Sequence, residues 1–274
     1  FDMAAMSGNL IVSLAGGDSS TVDGHAFLTI AAGTEIENGV TGDGNDVIAG
    51  NQLDNKLYGM RGTDTLIGGA GSDTLSGGAG SDLLEGDQGA DHFLFDRALD
   101  AATNLDVILD FSHHEDTIWL DSSIFAGLDL GTLSIDVFYV IGQGTLTALD
   151  RILYEASTGA LFFDADGSGS AAAVQFARLS DAPSELSADD FAVVSSSPQA
   201  IVAADDRTVE ARQTVRVRAR SWGPRRARPC GAMPATTRST DSAATTSSSQ
   251  AQATISSTAA RVSTRSSAAT EMTR

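Results

Sequence analysis

The chain has 274 residues, of which 42% are hydrophobic but only 6% aromatic, and 28 are glycine, a composition poor in the side chains that fill large conventional cores. Its net charge of −19 is unevenly spread: residues 1–210 carry 34 acids against 6 bases, and residues 211–274 carry 2 acids against 11 bases. The acidic portion would repel phosphates, which argues against a nucleic-acid partner and favours multivalent cations, and no run of about 18 apolar residues offers a transmembrane segment.

At the N-terminus, Phe1 to Asn9 has neither the basic start nor the apolar run of a cleavable leader, as expected of a fragment or a mature segment. Asn9 to Leu14 and Ala26 to Ile30 then read as short flanking strands within residues 1–40. From Thr41 a fixed register begins: TGDGNDVIA, GNQLDNKLY, GMRGTDTLI, GGAGSDTLS, GGAGSDLLE, GDQGADHFL, six consecutive blocks of nine. Position six holds Asp46, Asn55, Asp64, Asp73, Asp82 and Asp91, and position eight holds Ile48, Leu57, Leu66, Leu75, Leu84 and Phe93. Position four is glycine in every block but the second, where Leu53 stands. So many glycines at a nine-residue period exclude a helix, and scattered turns of an ordinary all-β domain would not keep one phase over six blocks.

Within a block, glycines at positions one, two and four allow a tight turn, and the last three residues leave room for a strand of roughly 10 Å. One apolar side chain per strand is a thin core, and stacking the turns brings carboxylates together, so the ion-free chain is expected to be marginal. Calcium answers both problems, because a hard cation taking six to eight oxygens is suited to stacked carbonyls and carboxylates. GGAGSDTLS and GGAGSDLLE fit the pattern GGxGxDxUx, and the segment resembles the calcium-binding nonapeptide repeats of RTX proteins. That resemblance implies an all-β fold: a right-handed parallel β-roll over 41–95, two nonapeptides per coil, with flanking β cap regions. It places Asp46, Asp64 and Asp82 on one edge and Asn55, Asp73 and Asp91 on the other, with calcium between turns. The turn glycines Gly42, Gly44, Gly62, Gly69, Gly71, Gly78, Gly80 and Gly89 complete the implied metal-binding set, and two gaps per edge give roughly four ions. Asn55 offers an amide for a carboxylate, so its site is expected to be weaker.

The flanks resemble the C-terminal domain of serralysin-type metalloproteases: GTEIENGVTGDGND before the repeats, and DVILDFSHHEDTIWLD, Asp106 to Asp121, as the strand pair that closes such rolls. His113, His114 and Glu115 replace the usual glycine-containing loop. These histidines read as a solvated turn, since no other His or Cys stands at zinc-like spacing. RILYEASTGALFFDADGSGSAAAVQFARL reads as three strands with a turn at Ser157 to Gly159. Its DADGSG is not an EF-hand, because Gln175 stands where a bidentate Glu is needed, although calcium on Asp164 and Asp166 stays open against a plain turn. Asp96, Asp100, Asp189 and Asp190 read as solvated charge. LSADDFAVV, closing the region 96–194, resembles the C-terminal secretion signal of type I substrates.

Residues 195–274 are rich in Ala, Ser, Thr and Arg, the composition of a disordered tail. Yet Ala235-Thr236-Thr237 returns as Ala244-Thr245-Thr246, Ala253-Thr254-Ile255, Val262-Ser263-Thr264 and Glu271-Met272-Thr273, again every nine residues. Gly-Asn-Asp written GGC-AAC-GAC and read one nucleotide late gives Ala-Thr-Thr. Ser239, Ser248, Ser257 and Ser266, two residues past the triplets, are what NTC codons for apolar residues give when read late. The tail is therefore expected to be a second RTX block out of frame, in which Cys230 and the cluster Arg216 to Arg228 carry no function. Reading the coding DNA one nucleotide earlier should yield repeated Gly-Asn-Asp; a frame without it refutes the idea.

The sequence thus points to a calcium-binding module of a secreted bacterial protein, exported by type I secretion machinery and folding on extracellular calcium. The alternative is the C-terminal half of a serralysin-like zinc metalloprotease. His25, His92, His113 and His114 form no H-E-x-x-H, so no catalysis is expected of this chain. The module could also belong to a larger repeat protein acting as an adhesin, surface-layer or matrix component; a zinc-protease helix upstream would favour the protease, and further RTX repeats there the larger repeat protein.

Overall fold

A computed structural model describes residues 1–167 and 171–195. The coil builds two walls of parallel strands. In one, Leu10–Ser13, Val47–Ala49, Thr65–Ala70, Leu83–Gln88, Asp106–Ile108 and Val174–Leu179 stack in that order. In the other, Asn38–Val40, Lys56–Tyr58, Thr74–Ser76, His92–Phe95, Thr117–Asp121 and Phe191–Val194 do the same. Each nonapeptide supplies one strand to one wall, and the next block crosses to the other. Val47 lies beside Thr65 and Thr65 beside Leu83, so alternate blocks are neighbours. Two 3-10 turns are the only helical elements among the described residues.

The core is the column that the period requires. Ile48, Leu57, Leu66, Leu75, Leu84 and Phe93 are all fully buried between the walls, joined by Leu10 and Val12 before the repeats and Ile108 and Ile118 after them. Backbones of successive coils approach closely at position four. A Cβ on Gly62 would strike the Gly44 carbonyl and one on Gly80 the Gly62 carbonyl, both at positive φ, so side chains are excluded there twice over. Met60 and Asp87, at position two, accept the same left-handed backbone without being glycine.

The coil extends beyond the six blocks. Asp106–Ile108 and Thr117–Asp121 do not close it, as the flanking resemblance implied; Val174–Leu179 and Phe191–Val194 add one further rung. That rung is capped by the antiparallel pair Ile152–Glu155 and Ala160–Phe163, with Phe125 wedged against Phe163 and Phe176 at centroid distances of 5.1 Å. The secretion-signal-like LSADDFAVV is part of this last wall, since Phe191–Val194 is its strand. At the other end the hairpin Ser19–Val22 and His25–Thr29 extends the first wall. The nine-residue tail period lies outside the described residues.

Candidate metal centre

The turns between the walls form the two edges of the roll, and each edge is held by a ladder of position-six carboxylates. On one edge the main-chain N–H of Leu10 donates to Asp46 Oδ1 at 2.8 Å, that of Asp46 to Asp64 at 2.8 Å, that of Asp64 to Asp82 at 2.8 Å and that of Asp82 to Asp106 at 3.1 Å. On the other, Asn55 donates to Asp73 at 2.7 Å, Asp73 to Asp91 at 2.9 Å and Asp91 to Asp116 at 2.9 Å. The six residues singled out by the register are thus brought into two columns, all buried. Asp106 and Asp116 extend the columns although no nonapeptide surrounds them.

One carboxylate oxygen per rung supports the neighbouring turn, and on three rungs the other accepts nothing. Asp64 Oδ2, Asp73 Oδ2 and Asp82 Oδ2 are buried without any hydrogen-bond partner. Each faces the position-one glycine of its own block: a Cβ on Gly59, Gly68, Gly77 or Gly86 would fall against Oδ2 of Asp64, Asp73, Asp82 or Asp91. The carbonyls of Gly77 and Gly86 close in on the first two of these points. The result is four cradles beside ladder carboxylates that only glycine leaves room for, two of them faced by a carbonyl oxygen, and oxygens so placed are of the kind a hard cation takes. Position-one glycines were visible in the repeat but absent from the expected ligand set. Of that set, the glycines at positions two and four shape the turns and the approach of successive coils.

The first turn on each edge is different. Thr41 takes position one ahead of Asp46, and its hydroxyl donates to the Gly59 carbonyl at 3.0 Å, while Gly42 N–H reaches Asp46 Oδ2 at 3.3 Å. Asn55 turns its Nδ2 to the Ile36 and Glu37 carbonyls at 3.2 and 3.1 Å, and its Oδ1 accepts from Asn51 N–H at 2.7 Å. In both places protein donors fill what the other rungs leave open.

With no ion present, burial pushes the Asp64 carboxyl up to about 8, against the opposing pull of the Asp46 N–H, with the Asp82 and Asp46 charges adding to the rise. Burial likewise raises Asp73 to about 7 and Asp82 to about 6, and lifts Asp91 and Asp106. At the foot of the second edge Asp110 takes the place of a position-one glycine; it accepts from Gly86 N–H at 3.0 Å and Asp87 N–H at 2.8 Å, and burial raises it to about 6.

Two of the four aspartates read as solvated are not. Asp96 is buried, accepting from Ser76 Oγ at 3.3 Å and pairing with Arg97. Asp190 is 1% exposed and His113 Nδ1 lies 2.7 Å from its Oδ1, because the rung Phe191–Val194 packs its turn onto the histidine turn. Asp100 and Asp189 are exposed, as expected. Asp164 is buried, with Oδ1 accepting from Asp166 N–H at 3.2 Å.

The fold and edges define a parallel β-roll with buried carboxylates stacked along its turns. The family model of the RTX calcium-binding nonapeptide repeat matches residues 40–75 and again 58–93, so this segment consists of RTX calcium-binding repeats. Serralysin G of Dickeya chrysanthemi is 47% identical over 58 residues, covering 21% of this chain and 12% of that protein, so the chain matches only a small part of this relative. Among solved structures, the AlgE6R3 subunit of the Azotobacter vinelandii mannuronan C5-epimerase is 23% identical, covering 72% of this chain and 94% of that one, with a TM-score of 0.36. The AlgE6R2 subunit of the same enzyme is 28% identical, covering 56% and 95%, with a TM-score of 0.33.

Proposed function

We propose that this chain is a calcium-folded module of a secreted bacterial protein, in which calcium occupies the cradles of Asp64, Asp73, Asp82 and Asp91. The observation that carries the reading is the set of buried, partnerless Oδ2 atoms on three of those residues. Four ions fit the turns, two on each edge, because Thr41 and Asn55 withdraw the first turn of each edge from binding. Where calcium is scarce the cradles repel themselves and the chain stays loose enough for type I export. Outside the cell, millimolar calcium binds only the folded form and stabilises it by mass action. Calcium titration followed by far-UV circular dichroism should give a cooperative gain of β signal in the range of roughly 10⁻⁴ to 10⁻³ M. An unchanged spectrum up to several millimolar would overturn the reading.

A second reading is favoured by the 47% identity to serralysin G: the module serves export and folding of a zinc-protease domain on the same polypeptide. An H-E-x-x-H helix encoded upstream of Phe1 would support it, and further nonapeptides there would refute it. The tail, taken as a second RTX block out of frame, favours a larger repeat protein over this second reading.

A further inference from the structure

The turn joining Asp106–Ile108 to Thr117–Asp121 carries two imidazoles, and the following turn on the same edge delivers Asp190 to them. Both carboxylate oxygens of Asp190 lie beside His113 Nδ1, at 2.7 and 2.8 Å. Oδ1 also accepts from His114 N–H at 3.2 Å, and Oδ2 from Ser187 N–H at 2.7 Å and Ser187 Oγ at 3.3 Å. Asp190 is thereby fixed from two turns and shielded from solvent. His114 has φ +69°, uncommon for a residue with a Cβ, and this backbone sets its ring against that of His113, with centroids 3.5 Å apart. One donor atom from each of the three side chains lies within 4.8 Å of the other two.

Two imidazoles and one carboxylate are a donor set for divalent transition metals, which take nitrogen at about 2.0–2.1 Å, and not for calcium, which takes oxygen. We propose that His113, His114 and Asp190 bind one zinc-like divalent ion, separate from the carboxylate ladders, with solvent completing the coordination on the exposed His114 side. The ion ties the last two turns of the edge together, beyond the point where the ladder stops at Asp116. The ligand is an imidazole nitrogen without a proton, so the metal takes the place of any hydrogen that His113 Nδ1 directs at Asp190. The simpler alternative, a His113–Asp190 ion pair, needs only one imidazole and gives His114 no part.

The test uses the full chain saturated with calcium and titrated with Co²⁺, read by visible d–d absorption and equilibrium dialysis, with Zn²⁺ as competitor. The expected result is one equivalent of Co²⁺, displaced by Zn²⁺. His114→Asn keeps the left-handed backbone and the His113–Asp190 pair; it should lower Co²⁺ affinity by roughly 10–100-fold or more while leaving the melting temperature in calcium alone unchanged. Equal affinity in the two proteins, or no cobalt bound at micromolar concentrations, overturns the proposal. Asp190→Asn should abolish binding in a folded protein, and if that variant does not fold, His114→Asn decides.

Discussion

In calcium-free buffer, lowering the pH from about 8 to about 5 will order the roll, and in saturating calcium the same change will loosen it. The folded-state carboxyls of Asp64, Asp73 and Asp82 stand at about 8, 7 and 6, each raised chiefly by burial. In the unfolded chain they titrate near 3.9. Between those values the folded form holds more protons, so stability is fully present below about pH 4 and is lost as the pH rises through 6 to 8. Each pH unit crossed by one such group costs about 1.4 kcal/mol. Three groups together reach the order of a domain's whole margin of roughly 5–15 kcal/mol. Asp110 and Asp116, raised to about 6, push the same way.

On the proposed reading calcium inverts the sign, because it competes with protons for the same oxygens and its affinity rises as those oxygens deprotonate. Melting curves at pH 5 and pH 8, in calcium-stripped buffer and in about 10 mM calcium, a hundredfold excess over a site of 10⁻⁴ M, check both halves. A calcium-free melting temperature that climbs from pH 5 to pH 8 would contradict burial as the origin of the shifts.

The parts of this site that were legible in the sequence are those locked to the period. Asp64 and Asp82 lie 18 residues apart and end up one rung apart, as do Leu66 and Leu84, so a fixed register gave both columns and the core. Asp106 and Asp116 escaped because longer turns put them 24 and 25 residues below their partners, and nothing in a nine-residue count predicts that. Leu10 escaped for another reason: it occupies a rung of the ladder through its backbone N–H alone, which no side chain advertises. Thr41 opens the first block where later blocks have glycine, and its hydroxyl bond to the Gly59 carbonyl is something the register does not reveal. Asp190 meets His113 across 77 residues, a contact made by stacking of rungs that carry no repeat.

The second large effect separates the two roles of a ladder carboxylate. Asp64→Asn will make the calcium-free protein more stable at pH 8 and the calcium-bound protein less stable. Without calcium, Asp64 is a buried acid facing the Asp82 and Asp46 charges, and its Oδ2 has no partner. An amide keeps the oxygen that accepts the Asp46 N–H, and its NH₂ takes the place of Oδ2 on the side of the Gly77 carbonyl. With calcium, the variant loses an anionic ligand. If that abolishes one site, the stabilisation missing is about 2.7 kcal/mol at a hundredfold excess over the dissociation constant. Asp46→Asn is the control, because Thr41 already occupies that turn's carbonyl and Gly42 N–H already reaches Asp46 Oδ2. It should change the calcium increment far less. Denaturant unfolding of both variants with and without calcium measures the two increments. Equal losses at Asp46 and Asp64 would mean that Thr41 does not close the first turn, and that an ion sits on every rung the ladder reaches.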